Sequence, residues 1–206
     1  VNIYWNLMGP VGVLYVKDIG DDCIIETDQD LLRLVQGQDE TAWAHLVSRH
    51  QEAVFRLAYL ILGDAAEAEE AAQDAFVQAY LSLDRFDAER PFRPWMMQIV
   101  RNVARNRQRS MRRYAAAVRR WWQSHAIPLE ADLPHDDAQL LWQAVRRLPA
   151  AAQEVIYLRY FLGMSEVETA ASLNIAPGTV KSRAHRALQR LRTIIQSDYP
   201  ELATPE

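Results

Sequence analysis

Cysteine is almost absent: Cys23 is the only one in 206 residues, which excludes an internal disulfide framework and any cysteine-built zinc site and fits a reducing cytoplasm. Glycine is scarce, with seven in the chain, and Gly178 alone makes no phosphate-binding loop. The five histidines are scattered without an HExxH or comparable ligand spacing, and no nucleophile–base pair stands out. No catalytic activity, metal, cofactor or small-molecule substrate is therefore expected. Long apolar runs are missing too. The stretch Val11 to Val16 follows a Gly9-Pro10 break with no basic segment before it, so neither a signal peptide nor a membrane span is expected there. Residues 1–26 are expected to form an extension without an assigned role, in which the Val/Tyr run can pair as a short strand.

What remains is rich in Ala, Leu, Arg, Glu and Gln, with apolar residues at three- and four-residue steps. That pattern predicts an all-α chain of two small helical domains joined by a flexible linker: 27–113 and 136–194, with the linker at 114–135 and a tail at 195–206. The formal net charge of -4 conceals an uneven layout. From Asp28 to Arg90 acids outnumber bases, whereas Arg101 to Arg120 carries eight arginines and no acid. A second basic cluster holds Lys181, Arg183, Arg186, Arg190 and Arg192. Two positive surfaces on different helices suggest two contacts with one polyanion.

In the first domain a short helix around Leu31 to Val35 is expected to end at Gly37. A longer one, capped by Thr41, presents Trp43, Leu46, Val47, His50, Val54, Leu57, Ala58 and Ile61 and ends at Gly63. His50 reads as packed at the edge of a core rather than catalytic. Asp64 and Glu67 form a capping-box pair, opening a helix with a small-residue seam of Ala68, Ala71, Ala72, Ala75 and Ala79, together with Phe76, Tyr80 and Leu83. Its opposite face is acidic and polar. A loop over Asp84 to Pro94 follows. Then Trp95, Met96, Ile99, Val100 and Val103 are expected to pack inward, while Arg101, Asn102, Arg105, Gln108, Arg109 and Arg112 project elsewhere. A helix apolar beneath and cationic above suits single-stranded nucleic acid, whose phosphates pair with arginine and whose bases stack.

The pattern decays through an Ala run, Trp121-Trp122, Pro128 and Pro134. The Trp pair is equally compatible with anchoring a partner and with packing back on a domain. The second domain opens with Leu140, Leu141, Ala144, Val145 and Leu148, and a helix from Ala150 to Leu162 closes at Gly163. Ser165 and Glu168 form another capping box, with Val167, Ala170, Ala171 and Leu173 expected inside. Asn174 then suits a left-handed turn, Ile175 the angle between helices, and Pro177 the first turn of a helix with a seam of Val180, Ala184, Ala187, Leu188 and Leu191. This is a helix-turn-helix. Thr179, Lys181, Ser182, Arg183, His185 and Arg186 lie off that seam, where arginine can read guanine and the others can hold phosphates.

Several of these stretches together resemble the extracytoplasmic-function group of the sigma-70 family. Leu148-Pro149, Tyr157 to Ser165, Pro177 to Arg183 and Arg186-Ala187-Leu188 resemble its domain 4, Asp74 to Tyr80 its region 2.2, and Phe92 to Asn102 its regions 2.3 and 2.4. The resemblance implies a cytoplasmic alternative sigma factor that binds core RNA polymerase, recognises minus-35 and minus-10 promoter elements and promotes strand opening. Gln73, Asp74 and Gln78 would dock on the beta-prime clamp helices, with the beta flap a further contact. Phe86, Phe92, Arg93, Arg101, Asn102, Arg105 and Arg109 would serve the minus-10 element, with a flipped base held in the loop. Thr179, Lys181, Ser182, Arg183 and Arg186 would serve minus-35 duplex DNA. An anti-sigma protein is a further implied partner, clamping the two domains around itself.

Asn106, where many relatives carry Asp, Thr169 in place of an apolar residue, and the Trp121-Trp122 linker depart from the family pattern. A one-component helix-turn-helix regulator is the competing expectation; it uses only the second half and leaves the acidic and arginine helices unexplained.

Overall fold

The computed structural model describes residues 27–37, 39–122 and 137–199. The extension with its expected strand, most of the linker and the tail beyond Tyr199 lie outside the described residues. Eight α-helices make up the described chain: α1 Asp28–Gln36, α2 Glu40–Leu62, α3 Ala65–Ser82, α4 Phe92–Trp122, α5 Asp137–Arg146, α6 Ala150–Ile156, α7 Glu166–Leu173 and α8 Pro177–Asp198. No strand occurs among the described residues.

Local chemistry sets the helix ends. Thr27 and Asp30 close a reciprocal capping box on α1, and Gly37 ends that helix. Asp39 caps α2, accepting from the backbone N–H of Thr41 at 2.9 Å and of Ala42 at 3.4 Å. The sequence pointed to Thr41, but its hydroxyl instead donates to Asp39 at 2.6 Å. Gly63 ends α2 with φ 79°, a left-handed conformation that a side chain strains. Asp64 then caps α3 through the Glu67 N–H at 2.9 Å.

α2, α3 and α4 pack together, with α1 laid on α2. The alanine seam of α3 is buried at Ala68, Ala71, Ala72, Ala75 and Ala79, and small side chains let neighbouring helices approach closely. Leu46, Val54 and Leu57 of α2 and Met96 and Val100 of α4 fill the space. Met97 and Ala104 are also fully buried, beyond the single inward stripe read from the sequence. The reason is that α4 is covered on more than one side, by α2, by α3 and by α7 of the second domain. α4 also continues as helix to Trp122, nine residues past the boundary expected at 113. His50 is buried at the core edge, 2.9 Å from Asp28, with its ring 5.1 Å from that of Phe92.

In the second domain α6 loosens at Tyr157–Phe161 into a π turn before Gly163, φ 63°. Ser165 and Glu168 complete the capping box of α7, Asn174 adopts φ 53°, and Pro177 occupies the first turn of α8. Val180, Ala184, Ala187 and Leu191 are buried as expected, but Leu188, Leu141, Val167 and Ala171, also expected inside, are exposed. Each of these lies on the solvent side of its helix, where the second domain has no further element among the described residues to cover it. α8 runs to Asp198 and Tyr199 packs into the core, so the domain extends past the boundary at 194.

The two domains touch. α7 lies against α4, Tyr59 of α2 stacks on Trp142 of α5 with ring centroids 6.1 Å apart, and Arg93 of α4 donates to the Leu162 carbonyl at 2.7 Å.

Candidate nucleic-acid interface

The first basic surface is the start of α8. The left-handed turn at Asn174 and the Pro177 start present the first turn of α8 outward, with open space around Gly178. Lys181, Ser182, His185 and Arg186 are exposed, and Thr179 and Arg183 are half-buried. The Ser182 hydroxyl donates to the Thr179 carbonyl at 3.1 Å, and Arg186 Nε donates to the Ser182 carbonyl at 3.2 Å, holding these side chains along the helix. No acid pairs with Lys181 or Arg186 among the described residues. A helix start with unpaired cations beside it is complementary to a phosphate backbone. Arg183 differs in that its charge is near enough to Glu154 to favour that carboxylate's ionised form.

The second surface is α4, and here the expected minus-10 residues divide into three groups. Phe86 and Phe92 are 7% and 1% exposed and belong to the core: their rings meet edge to face at 6.3 Å, and Phe86 packs on Trp95 at 4.3 Å. Both rings, expected at the minus-10 element, are therefore packed inward in this structure rather than presented on its surface. A loop aromatic followed by a helix start is also the pattern that seals the end of a bundle, and sequence alone does not separate the two. Asn102 and Arg109 are exposed, and Arg109 shares a shallow depression with Asn106, Arg112 and Arg113. Arg93, Arg101 and Arg105 meet the second domain. Arg105 Nε lies 2.6 Å from Glu154 Oε1, and Arg101 is half-buried beside the same carboxylate.

The third surface is on α3. Gln73, Asp74 and Gln78 are exposed, as the sequence led us to expect. Val77 and Leu81 stand out beside them at 58% and 76% exposure, and Tyr80 is half-exposed with its ring 5.3 Å from Trp43. Sequence reading missed this apolar component, although Gln73, Val77 and Leu81 share one four-residue step. It also missed Arg107, which reaches back from α4 to Glu67, Glu70 and Asp74. Hydrogen bonds that Arg107 donates to Glu67 and Glu70 raise its pKa above the ordinary value, the Glu67 bond most, outweighing partial burial.

The geometry thus presents an exposed basic helix start on α8, an arginine-rich α4 and a mixed polar and apolar face on α3. Residues 46–114 match the family description Sigma-70 region 2, and residues 138–191 match Sigma-70, region 4. Across both matches the chain is 31% identical to the ECF RNA polymerase sigma factor SigW of Bacillus subtilis, over 78% of this chain and 92% of that protein. The chain belongs to the sigma-70 family. It is an ECF-type alternative sigma factor, acting with RNA polymerase and promoter DNA in transcription initiation. The ECF RNA polymerase sigma-E factor of Escherichia coli is 30% identical over 82% of this chain and 95% of its own. Among solved structures, CnrH in complex with the cytosolic domain of CnrY matches at a TM-score of 0.66 and 26% identity, covering 84% of this chain and 99% of that one. The sigma factor RpoE of Bartonella quintana, in complex with the anti-sigma factor NepR, matches at 0.57 and 26%, covering 75% and 97%. Among the described residues of this sigma factor, no helix is long and apolar enough to cross a membrane.

Proposed function

We propose that this sigma factor divides promoter recognition between its two basic surfaces and reserves α3 for the polymerase. The start of α8, through Thr179, Lys181, Ser182, Arg183 and Arg186, reads the minus-35 duplex, where inserting a helix requires no strand separation. Asn102 and Arg109, joined by Arg93, Arg101 and Arg105, hold the melted minus-10 strand, recovering part of the stacking and pairing energy spent on opening it. Gln73, Asp74 and Gln78, with Val77 and Leu81 between them, dock on the beta-prime clamp helices, and the second domain meets the beta flap. The free chain is acidic overall, so its own promoter affinity is weak and holoenzyme is the working unit. It carries no catalytic chemistry of its own, works in the cytoplasm, and is restrained by an anti-sigma protein, as the names of the CnrH–CnrY and RpoE–NepR relatives' complexes suggest for those proteins.

The observation that supports this reading most strongly is that one chain presents a helix-turn-helix with unpaired cations and, separately, an arginine helix with an apolar underside. The test is transcription from a randomised promoter library by holoenzyme carrying Arg186→Ala. Sequenced starts should show relaxed preference upstream and unchanged preference at the minus-10 element. Unchanged preference at both elements refutes the assignment of α8.

A further inference from the structure

α1 lies ahead of the span that matches Sigma-70 region 2, residues 46–114, and its contacts divide between two faces. Leu31, Leu32 and Val35 are buried, and the Asp28 carboxylate meets Arg49 at 2.7 Å and His50 at 2.9 Å, so α1 is fixed on α2. Gln29, Arg33 and Gln36 follow one another at four- and three-residue steps and therefore share another face. All three donate to the segment between α3 and α4. The Gln36 side-chain amide donates to the carbonyls of Leu83, at 3.3 Å, and of Phe86, at 3.0 Å. Gln29 donates to the Glu89 carbonyl at 3.2 Å, and Arg33 to the Glu89 carboxylate at 2.6 Å. From inside, Phe86 packs on Trp95 and Phe92 is buried, so the segment is held on both sides. Asp84, Arg85, Asp87 and Arg90 are left exposed on its outer side.

We propose that Gln29, Arg33 and Gln36 are positioning residues for base choice at the minus-10 element: they hold the loop over 83–91 in one shape, and its outward acids and arginines read an unpaired base beside the start of α4. The proposal rests on the minus-10 reading of α4. Arg93 stands in the first turn of that helix, just past the loop, and Asn102 lies roughly 13 Å further along it, so a strand gripped along α4 arrives at the loop. Both kinds of group that a base edge requires are exposed there, since Arg85 and Arg90 donate while Asp84 and Asp87 accept. Rigidity is what turns these groups into discrimination. A loop free to re-form gives a wrong base new partners, whereas a held loop leaves that base's polar groups unpaired at a cost. Three of the four bonds from α1 go to backbone carbonyls, so they fix the course of the chain rather than one side chain. The Arg33–Glu89 pair is exposed on both sides and adds little by itself. The two Gln36 bonds are partly buried and carry more of the hold.

The test pairs amide hydrogen exchange on the full chain with initiation by reconstituted holoenzyme from a library randomised across both promoter elements. Gln36→Leu removes two of the bonds at nearly constant volume, and Arg33→Glu sets like charges against each other. Each should speed exchange across 84–90 by about tenfold while the buried amides of α2 and α4 keep their rates. Each should also lower the preference at one minus-10 position by about tenfold, within what a single base pair is worth, and leave the minus-35 preference unchanged. Arg33→Glu combined with Glu89→Arg should bring both readouts back toward wild type. Asp64→Ala, which removes the α3 cap without touching the loop, should lower Tm yet keep the minus-10 preference sharp, separating positioning from stability. Wild-type exchange rates across the loop in both Gln36→Leu and Arg33→Glu overturn the hold and leave the promoter reading standing. Faster exchange with an unaltered minus-10 preference overturns the positioning role. A wild-type holoenzyme with no minus-10 preference refutes the minus-10 reading itself and the proposal with it.

Discussion

Arg107 makes the sharpest stability prediction, because one guanidinium bridges α4 to three acids on α3. Two of its partners, Glu70 and Asp74, are 63% and 59% exposed, so their pairs are screened and contribute little. Glu67 is 33% exposed and Arg107 24%, which places that pair toward the upper end of the range for surface ion pairs. Together the three contribute about 1.5 kcal/mol. Replacing Arg107 with Ala also leaves three carboxylates facing one another along α3. For a unit of this size the loss lowers Tm by about 6–12 °C. Thermal melts followed by far-ultraviolet circular dichroism, at low salt and near 1 M, measure it. Salt at that level shortens the screening length to about 3 Å, so the gap between wild type and Arg107→Ala should narrow by about half. A drop below about 2 °C, or one that salt leaves unchanged, refutes the electrostatic account of the α3–α4 contact.

Other expectations follow from the same contacts. Burial of Asp28 works to raise its pKa, but hydrogen bonds from His50 and Arg49 outweigh burial and hold the carboxyl below its ordinary value of 3.8. The stability it gives α1 is therefore present above pH 3.8 and lost as pH falls through the depressed value; Asp28→Asn should cost about 1–2 kcal/mol at neutral pH and flatten that acid limb in pH-dependent melts. Glu154 has the opposite sign. Burial holds its carboxyl above the ordinary value of 4.5 in the folded chain, which therefore takes up the proton, so stability rises as pH falls from the raised value toward 4.5 and is flat above that window; melts across mild acid should show this, and Glu154→Gln should abolish it. Gly63→Ala forces a side chain into the left-handed region, costing about 1 kcal/mol. It also places Cβ 3.3 Å from the Trp142 indole and against the Arg146 guanidinium, so the radius of gyration should rise.

Helix number, the cap of α7 and the helix-turn-helix were legible because each depends on chemistry within a few residues, whereas the α2 cap fell to Asp39 instead of the expected Thr41. The Ser165–Glu168 box, the left-handed Asn174 and the Pro177 start all appear where the sequence places them. The exposed positions of Lys181, Ser182 and Arg186 follow from the same helical period. What was not legible depends on what lies opposite a side chain. Phe86 and Phe92 were expected at the minus-10 element, and only the arrival of Trp95 beside them shows both rings packed into the core. Arg105 and Glu154 are forty-nine positions apart, and nothing local announces their meeting. Met97 looks surplus to the stripe of α4 until α7 is seen to cover another side of that helix. Arg107 sits among seven other arginines in its stretch, and its difference lies wholly in the acids of α3.

The central claim is that α4 takes part in strand opening, and its most direct test is reconstituted transcription with sigma-free core polymerase. Wild type should direct initiation from a duplex promoter. The Arg101→Ala/Arg105→Ala variant should lose most of that activity and regain it on a template melted beforehand across the minus-10 element. Full activity of the double variant on duplex DNA, or no rescue on the melted template, contradicts the claim.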